Sequence, residues 1–87
     1  MSTVGADVEQ LGSLKGTFDQ QSQVIDELAS AIRNQLGNTW WQGPAADRFR
    51  QSWSGDYEPA LRRLQEALQE AGAEVLRRRE ALMQAGG

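Results

Sequence analysis

No cysteine and no histidine occur among the 87 residues of this chain. Without cysteine there is no disulfide and no thiolate metal site. Without histidine, the commonest metal ligand and the usual general base near neutral pH are both missing. Long apolar runs are missing too, for no stretch approaches the roughly 18 residues that a membrane span requires. The opening segment, Met1-Ser2-Thr3-Val4-Gly5-Ala6-Asp7, has neither a basic n-region nor an apolar h-region, so no cleavable general-secretory signal is expected. A basic excess is absent as well: the net charge of −3 argues against nucleic acid as a partner. A chain this short makes one domain near the lower size limit for a self-sufficient core. Of the usual staples for so small a domain, oligomerisation is the one left.

Charge and apolar residues are unevenly distributed. Residues 1–37 set Lys15 and Arg33 against Asp7, Glu9, Asp19, Asp26 and Glu27, a net −3, whereas residues 38–87 balance seven arginines against seven acids. Arg77, Arg78 and Arg79 cluster near the end, which reads first as a solvated helix face and otherwise as a contact for an acidic partner surface. Apolar residues of the first half fall at Val4, Val8, Leu11, Leu14, Phe18, Ile25, Leu28, Ile32 and Leu36. Their steps of three and four, with one of seven that polar Gln21 divides, make a heptad seam and not the alternation of a strand. Gly12 and Gly16 weaken it by about 1 kcal/mol each. Gly37-Asn38 reads as a helix stop, with glycine in the left-handed conformation. Gly43-Pro44 reads as a restart, because proline at the first helical position loses no needed hydrogen bond. Asp47 then sits near the positive end of the new helix.

The second half continues with Phe49, Trp53, Tyr57, Leu61, Leu64, Leu68, Ala71, Val75 and Leu82. Pro59 interrupts it, and an interior proline costs about 3 kcal/mol and kinks a helix. The spacing keeps the stripe in phase across it, so a bend near Gly55 to Pro59 is expected and not a break. The spacing thus predicts an all-α fold: helix 1 over about 4–37, a turn at 38–43, and helix 2 over about 44–84, with a fraying end at Ala85-Gly86-Gly87. A short turn forces the two helices into an antiparallel hairpin. A two-helix hairpin leaves one flank of each helix uncovered, and pairing with a second hairpin into a four-helix bundle would bury it. The expected seam comprises Leu11, Leu14, Phe18, Ile25, Leu28, Ile32, Leu61, Leu64 and Leu68.

All three tryptophans, Trp40, Trp41 and Trp53, lie within fourteen residues, with Phe49 between them. Leucine alone could fill a bundle core, so this cluster at the turn needs its own explanation. Trp41 can plug the splayed end of the hairpin, its N–H reaching a carbonyl left unpaired at the end of helix 1. Gly43 then lets the chain reverse. Two adjacent tryptophans cannot both enter one core, so Trp40 is the one expected at the surface, where tryptophan is favoured as an interface anchor.

Trp41-Gln42-Gly43, half-way along a chain of under a hundred residues, resembles the Trp-x-Gly motif of the early-secreted-antigen-like (Esx) family. The following Pro44-Ala45-Ala46, then Phe49 and Trp53, the ladder Leu61, Leu64, Leu68, and Ala71-Gly72 extend the resemblance over essentially the whole chain. It implies a substrate of a bacterial type VII secretion system: a helical hairpin, made in the cytoplasm and exported folded as a dimer without a cleaved leader. Trp41 and Gly43 would then contribute to recognition by the secretion motor ATPase. The family's tail signal, tyrosine followed four residues later by an acid, would fall at Val75 and Arg79, and neither residue matches. The resemblance offers a resolution in which the partner carries the tail, so that this chain pairs with a sister hairpin. A homodimer, with Val75 and Leu76 as a degenerate tail contact and Arg77 to Arg79 facing the motor, is the alternative.

Other classes share some of these features. An enzyme would need paired carboxylates, yet Asp26, Glu27, Glu66, Glu70 and Glu74 lie off the apolar stripe, so no catalytic residue, metal or cofactor is expected. A membrane-active hairpin would need a basic polar face, and helix 1 is acidic. A cytosolic adaptor or chaperone for a larger effector shares every helical feature and differs only in where it is found.

Overall fold

A computed structural model describes residues 5–86; Met1 to Val4 and the final Gly87 lie outside the described residues, and Gly5-Ala6-Asp7, expected within helix 1, is not helical, because Asp7 caps a helix that begins at Val8. The architecture is all-helical. Helix α1 runs Val8–Asn38, α2 runs Pro44–Ser52, a π-helical turn spans Trp53–Tyr57, and α3 runs Glu58–Gly86. The two long helices pack against each other in an elongated body of 64 × 22 × 19 Å.

Helix α1 starts where Asp7, in an extended conformation, accepts the Gln10 N–H on its carboxylate at 3.0 Å. This N-cap satisfies one of the four orphan donors of the first turn. At the other end the expected stop does not form at Gly37. That glycine stays helical, and α1 closes at Thr39, whose hydroxyl donates to the Gln35 carbonyl at 2.7 Å and whose N–H donates to Leu36 O at 3.3 Å. Because the chain leaves in an extended conformation (φ −86°), no left-handed residue is required there. Positive φ falls instead at Gly43, at 117°, just before Pro44 opens α2. An added Cβ at Gly43 would meet nothing within 4 Å. Glycine is therefore needed for the backbone angle itself and not to avoid a clash.

Three contacts give the register of the hairpin. Arg79 Nε donates to Val8 O at 2.9 Å, Ser22 Oγ donates to Gln65 O at 3.3 Å, and a Cβ on Gly72 would lie 3.7 Å from Lys15 O. Val8, Lys15, Ser22 and Ala29 on α1 step by seven, as do Glu58, Gln65, Gly72 and Arg79 on α3. The antiparallel contact line is therefore heptad-spaced on both helices. It is lined by small and polar residues. Ser22, Ala29 and Gly72 are buried, and a Cβ at Gly72 would stand 3.2 Å from Phe18 Cβ.

The apolar stripe does not keep its phase past Pro59. The inward line runs from buried Ala46 and Trp53 to half-buried Glu58, a step of five, and the Glu58 N–H donates to Trp53 O as a π-helical turn requires. Helical hydrogen bonding is not broken; the wider turn re-phases it. Proline crowds the preceding turn and has no N–H to give, and a wide turn directly ahead of Pro59 makes room for its ring. One consequence concerns Tyr57, which the spacing places in the stripe between Trp53 and Leu61. The extra residue rotates it out of the contact line, and it is exposed.

Candidate functional site

The register makes the two open flanks of the hairpin unlike. Three residues on from each contact-line position of α1 lie Leu11, Phe18, Ile25 and Ile32; the corresponding residues of α3 are Leu61, Leu68, Val75 and Leu82. Because the helices are antiparallel, these two rows lie on the same flank, with Leu14, Leu28, Leu64 and Ala71 beyond them. Four residues on from the contact line lie Asp19, Asp26 and Arg33 on one helix and Arg62 and Gln69 on the other. This second flank carries the Asp26–Arg62 and Lys15–Asp19 ion pairs, with Arg33 Nε 3.7 Å from Glu58 Oε1. Asp26 is therefore not freely solvated, as its position off the stripe suggested, but crosses the hairpin to Arg62. A shallow polar groove of about 300 Å³ runs between Asp19, Ser22, Gln23, Asp26, Gln65 and Gln69.

None of the nine expected seam residues is buried in the single chain. Leu11, Phe18, Ile25, Leu61 and Leu68 are half-buried, while Leu14, Leu28, Ile32 and Leu64 are exposed. Monomeric soluble proteins rarely leave a contiguous apolar stripe of this length open.

At the tip the aromatic cluster divides its work. Trp53 is the buried member at 8% exposure, and its Nε1 has no hydrogen-bond partner among the described residues. Trp40 is 85% exposed and Trp41 40%. Trp41 lies with its ring 5.6 Å from that of Phe49, which in turn lies 6.5 Å from Tyr57, both pairs tilted as aromatic quadrupoles favour. The row Trp41, Phe49, Tyr57 continues the apolar flank past Leu61 to the end of the molecule, because Phe49 precedes buried Trp53 by four residues. Trp41 is partly exposed and does not plug the hairpin; Thr39 meets the Gln35 and Leu36 carbonyls at the end of α1, and another side chain meets the carbonyls of the turn. Arg50 donates from Nη1 to Trp41 O at 2.8 Å and from Nη2 to Thr39 O at 3.1 Å, clamping the turn against α2. Sequence reasoning missed Arg50 because an arginine nine residues from its acceptor leaves no periodic trace. Asp7 was missed as well, because apolar spacing that begins at Val4 placed it inside helix 1, although an aspartate with Gln10 three residues further on is a capping pattern.

The tail positions have structural surroundings. Val75 is half-buried on the apolar flank, and Arg79 turns inward to Val8 O and covers Gly12, whose added Cβ would lie 3.3 Å from Arg79 Nε. Gly12 is thus a close-approach position rather than simply a weak point. Arg78 reaches Glu74 at 3.3 Å, so the three consecutive arginines do not form one patch. Among the described residues no group of three or more acidic, His or Cys side chains is placed to hold a metal ion, and no helix is long and apolar enough to cross a membrane. Comparison with family models, curated proteins and solved structures gives no match for this chain.

Proposed function

We propose that this chain is a non-enzymatic helical hairpin that works by pairing its apolar flank with that of another helical hairpin, forming a four-helix bundle exported folded by a bacterial type VII secretion system. The observation that carries the pairing is the open flank: Leu14, Leu28, Ile32, Trp41, Phe49, Tyr57 and Leu64 are all exposed large hydrophobics on one side of the molecule. Burying apolar surface stabilises by roughly 25 cal/mol per Å², and a second hairpin offers a matching length of apolar helix. The small, polar contact line inside the hairpin supplies little of that stabilisation by itself, which is the physical reason to look outside the chain for the rest.

Export rests on the resemblance at Trp41-Gln42-Gly43. The positive φ of Gly43 gives the glycine of that motif a backbone role. Trp41, partly exposed on Phe49 and beside a turn held by Arg50, is available for contact with the secretion motor. The pair would leave the cytoplasm together, with neither metal nor cofactor. The test is Trp41→Ala in a bacterium carrying a type VII system, followed by circular dichroism, solution mass and the amount of protein in the medium. The expected variant is folded and paired but retained in the cell. Unfolding would assign Trp41 to structure alone, and undiminished export would remove the recognition role. A natural chain found only in the cytoplasm would favour an adaptor or chaperone.

A further inference from the structure

We propose, resting on the reading above that the turn is recognised during export, that Trp40 is a second contact residue for the export machinery and that Arg50 is the positioning residue that presents it. Two carbonyls point to this pair. Thr39 and Trp41 stand on either side of Trp40 in the chain, and the Arg50 guanidinium donates to the carbonyls of both, at 3.1 and 2.8 Å. Among the described residues, no backbone–backbone hydrogen bond of the turn involves residues 40–42. The backbone bonds lie at its ends, where the Thr39 N–H meets Leu36 O and the Asp47 N–H meets Gly43 O. Arg50 therefore ties the middle of the turn. A simpler use was open to it, for Asp47 lies three residues earlier in α2, at the spacing of a helical ion pair. Arg50 instead turns both Nη groups to the backbone and is half-buried there. The fork of a guanidinium suits two carbonyls at once, as a lysine ammonium does not.

What this clamp holds is a displayed indole. Trp40 is 85% exposed, and the next most exposed large hydrophobic residue, Tyr57, is at 54%. In a loose turn a tryptophan would fold onto the apolar rings beside it, here Trp41 and Phe49, to leave water. Fixing the backbone on both sides of residue 40 prevents that collapse. The two adjacent tryptophans thus have different surroundings. Trp41 rests on Phe49 in the row that continues the apolar flank, so a hairpin covering that flank reaches it. Trp40 is outside this row and stays in solvent after pairing. A side chain whose backbone is already fixed loses less freedom on binding, and tryptophan is among the residues most enriched as interface anchors. The partner surface that fits it is a slot of indole width, lined by apolar side chains, with an acceptor for the indole N–H.

The test compares Trp40→Ala, Arg50→Ala and the double variant of the full chain in a bacterium carrying a type VII system. Protein in the medium, circular dichroism, solution mass and the backbone order of the Trp40 and Trp41 amides, from nitrogen-15 relaxation, are the readouts. Trp40→Ala is expected to keep helicity and mass and to lower export by at least about tenfold, as loss of a tryptophan anchor does. Arg50→Ala should also stay helical, lose amide order at residues 40 and 41, and export less. Because Phe49 still holds the Trp41 ring, the double variant should export no worse than Trp40→Ala alone, the non-additivity expected when one residue acts through the other. Additive losses overturn the positioning role, as does unchanged amide order in Arg50→Ala. An Arg50→Ala chain that loses helicity assigns Arg50 to folding and overturns that role too, while Trp40→Ala still decides the contact. Comparison with Trp41→Ala separates this proposal from the reading beneath it. Normal export of Trp40→Ala with retention of Trp41→Ala overturns the Trp40 contact and leaves turn recognition standing. Normal export of both removes the two together.

Discussion

The two flanks of this hairpin are built from the same two helices, one residue apart in the heptad, and they are chemically opposite. On one, Asp26 pairs with Arg62 and Lys15 with Asp19 around a polar groove. On the other, leucines, isoleucines and an aromatic row remain half-covered or exposed. Between them runs a contact line of Ser22, Ala29, Gln65 and Gly72, too small and polar to form a conventional leucine core. The contrast shows where the helices' leucines are directed. A self-sufficient hairpin would turn them inward. This one spends small residues on the internal contact and presents its large ones along a flank, the distribution expected when most apolar burial occurs between molecules.

The contrast breaks first on the apolar flank. A carboxylate at Leu28 would have to be desolvated in the paired state, so Leu28→Glu is expected to raise the dissociation constant by at least 100-fold, about 3 kcal/mol. Glutamate at Gln23, on the polar flank, should change it by less than twofold. Sedimentation equilibrium on the two variants reads both, and equal effects would erase the distinction between flanks. Next is the turn that carries the aromatic row to the end of the flank. Gly43→Ala forces a residue with a Cβ into φ near 117°, and about 2 kcal/mol of unfolding free energy should be lost. A urea unfolding curve checks this, an unchanged midpoint meaning that the turn relaxes freely.

The contact line is tested by two glycines of opposite expected sign. Gly16 sits in helix α1 with nothing within 4 Å of an added Cβ, so Gly16→Ala should stabilise by up to about 1 kcal/mol through helix propensity. At Gly72 the same methyl would crowd Phe18 Cβ at 3.2 Å, and overpacking of about 1–3 kcal/mol outweighs the propensity gain. Gly72→Ala should therefore lower the thermal midpoint while Gly16→Ala raises it, and a rise in both would mean that the helices are not in close contact at Phe18. The smallest effect belongs to the polar flank. Asp26→Ala removes a pair whose side chains are 50% and 33% exposed, worth about 0.2–1 kcal/mol. That loss should shrink in high salt.

Much of the fold was legible because periodicity and helix punctuation are local. Steps of three, four and once seven from Val8 to Leu36 point to a helix, Pro44 opens the next one, and a short connection between long helices makes a hairpin. Readings that failed depended on geometry between distant residues. Gly37 resembled a stop, but Thr39 closes the helix two residues later by bonding to Gln35 and Leu36. Tyr57 looked in phase with Trp53 and Leu61, yet the π-helical turn adds a residue between them and turns the ring outward. At the candidate site, the Trp41 and Gly43 pattern and the surface place of Trp40 could be argued from neighbours in sequence. Arg50 could not, since its role exists only once α2 folds back beside Thr39 and Trp41.

By itself, then, the sequence determined that the chain is helical, that Pro44 opens the second helical segment, that no thiol or imidazole chemistry is available, and that an apolar stripe runs along both helices. These follow from residue type and spacing along one strand of chain. Which residues face the partner helix was decided by tertiary structure alone. Two helices with broad apolar stripes can meet along the middle of those stripes or along their edge. Close approach at Gly12 and Gly72, the Arg79 bond to Val8 and the Asp26–Arg62 pair select the edge, and that selection leaves the leucines open to a second molecule.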